Sequence, residues 1–101
     1  MFSSFFEEIT PVLLREWLDK GEARLIDVRE REEHARQSIG GDELFPLSQF
    51  DPAAISPDGR KIVFYCRSGR RSADAAYLWS RHHGVTSYNL KGGILEWGKQ
   101  D

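Results

Sequence analysis

The run Lys61-Ile62-Val63-Phe64-Tyr65 constrains the fold of this chain more than any other segment, because it is β-branched and aromatic with no alternation of polar and apolar residues. A strand with one wet face alternates. A run without alternation needs cover on both faces, as the central strand of a parallel sheet has. Parallel neighbours can be joined only by long crossovers, so helices must lie between the strands.

The flanking sequence supplies those helices. Thr10 suits an N-cap and Pro11 the first helical position, where its missing N–H costs nothing. Leu13, Leu14, Trp17 and Leu18 follow at helical spacing, and Gly21 is a stop. Ala23 to Val28 is a second buried strand, opening at Asp27, Val28, Arg29 and Glu30 into a charged loop. Glu30 to Gln37 suits a short surface helix broken by Gly40 and Gly41, and Leu44 to Leu47 a minor strand. Pro52, Pro57 and Asp58-Gly59 leave room between Ser48 and Arg60 only for a connector with one helical turn. Ser72 to His83 is helical, with Ser72 as its cap, Ala75, Ala76, Leu78 and Trp79 as its apolar stripe and Gly84 as its end. Val85 to Leu90 is a last strand, and Gly92-Gly93 turn the chain into a final helix bearing Ile94, Leu95 and Trp97. The pattern predicts an α/β fold in one domain over 1–101, with any ligand beyond the carboxyl ends of the strands.

Composition removes several function classes. Fourteen Lys plus Arg against 16 Asp plus Glu leave a net charge of -2, which draws the chain toward neither nucleic acid nor a membrane surface. No apolar stretch approaches the roughly 20 residues a bilayer span needs. One cysteine forms no internal disulfide and the first ten residues lack a signal-peptide pattern, so the expected setting is cytoplasmic and reducing. No Cys/His cluster has metal-ligand spacing, and neither a metal nor a cofactor is expected. His34, His82 and His83 are read as surface residues, the last two complementing a helix dipole. Trp17, Trp79 and Trp97 fill the core or seal its edge, with Trp97 also a candidate to line the site. Phe2, Phe5 and Phe6 either pack on the sheet edge or contact another chain.

The chemistry is expected where the central strand ends. Cys66-Arg67-Ser68-Gly69-Arg70-Arg71-Ser72 joins that strand to its helix. Such a loop aims several backbone N–H groups at one point, and the following helix adds the positive end of its dipole, so an anion is favoured there. A thiolate is such an anion, and the arginines should help keep Cys66 ionised near neutrality. They also suit the paired oxygens of a sulfonate, phosphate or arsenate, while Gly69 lets the loop fold tightly. The rival reading is an inert buried cysteine beside a solvated basic surface.

These pieces resemble the single-domain rhodanese family. The resemblance rests on Leu25-Ile26-Asp27-Val28-Arg29-Glu30 with Glu32-Glu33-His34, on Cys66 to Ser72, and on Leu90-Lys91-Gly92-Gly93-Ile94-Leu95-Glu96-Trp97, in that order. It implies a five-stranded parallel sheet flanked by helices on both faces. It also implies a sulfurtransferase whose Cys66 cycles between thiolate and persulfide, with thiosulfate or another persulfide as the small anionic donor and cyanide or a thiol as acceptor. By the same resemblance the amides from Arg67 to Arg71 cradle the transferred sulfur, and Arg67, Ser68, Arg70 and Arg71 set donor preference. Asp27 and Arg29 match the family's strand-end motif; their first reading is a loop-tying ion pair, with substrate contact second. One stretch departs: Ser38-Ile39-Gly40-Gly41 stands where the family has His-Ile-Pro-Gly, which predicts a less rigid rim.

Two rivals share these features. Phosphatases and arsenate reductases also set a thiolate in an anion loop, but their signature has five residues between Cys and Arg, whereas four separate Cys66 from Arg71. A persulfide carrier that serves a partner protein differs only in turning over small molecules poorly.

Overall fold

In the computed structural model, which describes residues 5–99, Lys61–Tyr65 is a strand (β4) in the middle of a five-stranded sheet. In chain order the elements are β1 Phe6–Ile9, α1 Pro11–Asp19, β2 Ala23–Asp27, α2 Arg31–Arg36, β3 Glu43–Leu44, short 3-10 turns at Leu47–Gln49 and Pro52–Ala54, β4, α3 Arg70–His83, β5 Ser87–Leu90 and α4 Gly93–Trp97. The sheet order is β1-β5-β4-β2-β3, and every ladder is parallel.

β4 shows why its sequence does not alternate. Ile62 and Phe64 enter one buried cluster with Ile26, Ile55, Ala75, Ala76 and Trp79, which α3 covers. Val63 and Tyr65 enter the other, with Leu14, Leu25, Leu90 and Ile94, which α1 and α4 cover. Both faces are dry, and each large side chain so buried contributes about 1.5–3 kcal/mol. Helices thus flank both faces. Trp79 is fully buried, and its indole N–H donates to the Ile55 carbonyl at 2.7 Å, tying the connector to α3.

Several elements depart from expectation. β1 was not anticipated as a strand: Phe6-Glu7-Glu8-Ile9 pairs with β5 at the sheet edge. Phe6 packs against the first cluster and Phe5 meets Tyr77 edge-on at 5.3 Å, so these two favour the sheet-edge alternative; Phe2 lies outside the described residues. β3 is shorter and earlier than Leu44 to Leu47, the connector carries two 3-10 turns rather than one, and β5 begins at Ser87 rather than Val85. Ser72 is not the cap of α3. Gly69, at φ 100°, holds the cap position, and Ser72 lies fully buried in the first turn. Trp97 is partly buried against the second cluster, with the Arg15 guanidinium 4.6 Å from its ring. No helix among the described residues is long and apolar enough to cross a membrane.

Candidate active site

The loop after β4 turns its N–H groups and its carbonyls in opposite directions. The first turn of α4 takes the carbonyls: Ile94 N–H donates to the Cys66 carbonyl at 2.9 Å and Leu95 N–H to that of Arg67 at 3.2 Å. The Asn89 amide donates to the Gly69 carbonyl at 2.9 Å. With those oxygens held outside, the opposite edges of the peptides face inward. Gly69 N–H then donates to Cys66 Sγ at 3.1 Å, Ser72 N–H at 3.4 Å and the Ser72 hydroxyl at 3.2 Å. Cys66 is only 1% exposed, so its sulfur is the floor of this ring rather than a surface group.

Contact of this closeness depends on glycine. Gly93 has φ 62°, and a Cβ there would lie 2.3 Å from the Arg67 carbonyl oxygen and 2.5 Å from that of Cys66. A side chain would push the loop off its support. The spacing of the closing motif therefore has a local cause: Gly92-Gly93 brings α4 under the loop close enough to bond it.

The thiol feels two opposing effects. Burial pushes its pKa up, but hydrogen bonds from the Ser72 hydroxyl and from the N–H groups of Ser72, Gly69 and Ser68 outweigh it, and the pKa falls below its ordinary value. The backbone donors expected of the loop carry this effect together with the Ser72 hydroxyl. Arg67 and Arg70 are exposed, and the Arg71 guanidinium is held by Glu33 at 2.8 and 2.9 Å. Arg71 still senses the sulfur's charge, which raises its own pKa after the larger contribution from Glu33.

Asp27 and Arg29 form the second part of the site's frame, under the neighbouring loop. Asp27 is completely buried and Arg29 nearly so, and the pair is bidentate, with Arg29 Nε 3.0 Å from Oδ1 and Nη2 2.8 Å from Oδ2. Arg29 N–H also donates to Oδ1 at 2.9 Å, and Nη2 reaches the Gln37 carbonyl at 2.6 Å. Burial pushes the Asp27 carboxyl up, and these bonds more than reverse it, so its pKa lies below the usual carboxylate value. His34 is not the surface residue expected: its Nδ1 sits 2.9 Å from Asp27 Oδ2, and its side chain is 28% exposed. His83, expected to serve the helix dipole, instead meets the Pro52 carbonyl at 2.8 Å.

Donor atoms of Asp27, His34 and Asp42 lie within 4.8 Å of one another, which makes them the cation candidate of the region. Both Asp27 oxygens are already taken by Arg29 and His34, and Asp42 accepts the Tyr65 hydroxyl at 2.5 Å. A metal ion would have to displace a guanidinium, so the donor set suits a loop clamp better than coordination. The same atoms stiffen the rim expected to be loose, since Tyr65 Oη also accepts Ile39 N–H at 3.2 Å.

Residues missed in the sequence complete the frame. Glu33 joins the two loops through Arg71 across 38 positions of sequence. Asn89, 1% exposed on β5, accepts the Ser72 hydroxyl at 2.5 Å and donates to both Glu8 oxygens at 3.0 and 3.2 Å. Ser72 thus has two acceptors, Asn89 and the sulfur, for one hydroxyl proton. A buried Asn in a strand beside the candidate loop was the only available signal, and it means little until β1 is known to pair with β5.

Comparison with known proteins agrees with this architecture. The pattern of the rhodanese-like domain matches residues 10–100. A probable adenylyltransferase/sulfurtransferase, MoeZ, of Mycobacterium tuberculosis is 40% identical over 91% of this chain, which spans only 24% of that protein. The human thiosulfate:glutathione sulfurtransferase is 36% identical, with 83% of this chain and 86% of the human protein aligned. Among solved structures, a rhodanese-related protein from Thermoplasma volcanium superposes with a TM-score of 0.81 at 27% identity, covering 92% of this chain and 91% of that one.

Proposed function

The chain belongs to the rhodanese family, and we propose that within it the protein is a thiosulfate sulfurtransferase working through a persulfide on Cys66. The observation that carries this reading is a sulfur on the floor of a ring of donors, at 3.1, 3.2 and 3.4 Å, with its pKa lowered and no basic side chain required. The name of the human relative supports thiosulfate as donor and a thiol as acceptor.

In the first half-reaction the Cys66 thiolate attacks the outer sulfur of thiosulfate. A new S–S bond forms, the bond to the sulfonate sulfur breaks, and sulfite leaves with the electron pair. The charge displaced onto the outer sulfur is met by the N–H groups of Ser68, Gly69 and Ser72, already in place and costing no reorganisation, and by the Ser72 hydroxyl, whose single proton is shared between sulfur and Asn89. Arg67 and Arg70 draw in the dianion, and Arg71, oriented by Glu33, adds a fixed positive charge. In the second half-reaction cyanide or a thiolate bonds to the outer sulfur and the electron pair of the S–S bond returns to Cys66. A partner protein's cysteine is chemically equivalent to a small thiol here. Each step balances on sulfur alone, and a reducing cytoplasm would keep the lone thiol ready. Asp27 and Arg29 act as the frame rather than as substrate contacts, because their polar atoms are spent on each other and on Gln37. Phosphatase chemistry is the weaker reading, since Arg71 is tied to Glu33 and not free to clasp phosphate.

Intact-mass spectrometry after thiosulfate tests the proposal. One added sulfur atom is expected on the wild type, removed by cyanide, and neither event on Cys66→Ser. Aryl-phosphate hydrolysis without sulfur uptake would overturn it.

A further inference from the structure

Asn89 joins the edge of the sheet to the reacting sulfur. On β5 it stands opposite Glu8 of β1 on one side and Phe64 of β4 on the other, and it is 1% exposed. Its amide group can point only one way. The Gly69 carbonyl, which only accepts, lies 2.9 Å from Nδ2, and the two Glu8 carboxylate oxygens lie at 3.0 and 3.2 Å. The amide nitrogen must face these groups, which turns Oδ1 toward Ser72. An amide oxygen is an acceptor, so in the 2.5 Å contact with Ser72 Oγ it is the hydroxyl that donates.

The same hydroxyl has a second acceptor in Cys66 Sγ, 3.2 Å from Oγ. One proton serves one of them fully at a time. With Ser72 fully buried and Asn89 nearly so, water replaces neither partner. The charge on sulfur settles the competition. While Cys66 is a thiol, its S–H can donate to Oγ and the hydroxyl to Asn89, a chain in which every group is satisfied. Once the sulfur is an anion it is the stronger acceptor, and the hydroxyl turns to it, leaving Oδ1 without its donor. The charged groups around this chain are Glu8 of β1 at the amide nitrogen and Arg71 of α3, which is held by Glu33 of α2 and senses both the sulfur and Asp27 of β2.

We propose that Asn89 is a positioning residue that holds the Ser72 hydroxyl proton while the Cys66 sulfur is uncharged and releases it to the sulfur when the thiolate forms. The proton stays on Oγ throughout, and only its acceptor changes. The inference deepens the reading of Cys66 as a persulfide-forming nucleophile and rests on it. In the persulfide the inner sulfur carries no charge, so the hydroxyl goes back to Asn89. When the S–S bond breaks and its electron pair returns to Cys66, the hydroxyl turns to sulfur again. Asn89 thereby favours the protonated and sulfur-loaded forms over the free thiolate.

Two measurements test this. The pH midpoint of Cys66 alkylation by iodoacetamide is taken for the wild type, Asn89→Ala, Ser72→Ala and the double variant. Asn89→Ala also removes the donor to the Gly69 carbonyl, a loss common to both backgrounds that the cycle cancels. The midpoint change caused by Asn89→Ala should lie about 0.5–1 pH unit lower with Ser72 present than in Ser72→Ala. Equal changes in the two backgrounds, or a difference of the opposite sign, overturn the proposal. The second measurement needs no substitution at Asn89 and stands even where Asn89→Ala fails to fold. In the wild type the side-chain carboxamide resonances of Asn89 should move with pH at the alkylation midpoint, and most of that movement should vanish in Ser72→Ala. Movement of the same size in Ser72→Ala is the field of the thiolate acting through space and overturns the proposal, as does no movement in the wild type. Neither measurement uses thiosulfate. Both expected results with no sulfur uptake uphold the role of Asn89 and overturn the persulfide reading, whereas sulfur uptake with equal midpoint changes overturns the role of Asn89 alone.

Discussion

The loops that leave β2 and β4 sit side by side at the same end of the sheet, yet they treat charge in opposite ways. After β2, the polar groups at the strand's end answer one another: Asp27 by Arg29 and His34, Arg29 by the Gln37 carbonyl, Asp42 by Tyr65. After β4, the carbonyls are answered by α4 and Asn89, and the N–H groups are left converging on one sulfur. A closed network stabilises; an open ring of donors waits for charge. Position on the scaffold makes a site possible, and the balance of spent and unspent donors singles out the loop after β4 as the candidate.

That contrast says which loop should fail in stability and which in chemistry. The largest effect is expected at Asp27→Asn, which leaves the buried Arg29 without its counterion and should cost about 3–5 kcal/mol in urea unfolding. The thiol of the protein that remains folded should keep its reactivity. The folded Asp27 pKa is lowered, so its stabilisation is complete above the unfolded value of about 3.9 and is lost as pH falls below it. The variant should accordingly show a flatter acid-unfolding profile than the wild type.

Gly93→Ala attacks the open loop instead. Its Cβ would lie 2.3 Å from the Arg67 carbonyl oxygen, so the loop must move, and kcat/KM for sulfur transfer should fall about 100-fold with a smaller loss of stability. Equal damage to both would erase the distinction between the two loops. Ser72→Ala removes a single donor: alkylation of Cys66 below its midpoint pH should slow roughly five- to tenfold, with the midpoint displaced upward. The smallest effect is expected at Glu33→Gln, where the freed Arg71 should change KM for thiosulfate by about two- to threefold. The Arg71 guanidinium holds the Glu33 carboxyl at about 2, so this link persists from above the unfolded carboxyl range down to that pH. Loss of activity between pH 6 and 5 would have to come from another group.

Much of this frame was legible in the chain itself. The unalternating β4, the cap and proline of α1 and the closing glycines are local signals, and their elements formed within a residue or two of expectation. The rest depends on contacts made at long range. β1 is four residues with two acids and becomes a strand only because β5 offers an edge. Ser72 fits the composition of a cap, but Gly69 at positive φ starts the helix earlier and turns the hydroxyl toward sulfur. The rim lacking its family proline looked loose because Tyr65, 26 positions away from Ile39, cannot be seen to pin it. The loop's converging N–H groups and its arginines both marked it in the sequence; what the sequence did not show is that the Ser72 hydroxyl also donates to the thiol, while Arg67 and Arg70 stay exposed.

The rate of Cys66 alkylation by iodoacetamide, followed against pH in the native protein, tests the central claim most directly. A ring of unspent donors predicts a single midpoint below about 8.5, the free-cysteine value, that rises in Ser72→Ala. A midpoint at or above that value, unmoved by Ser72→Ala, would contradict it.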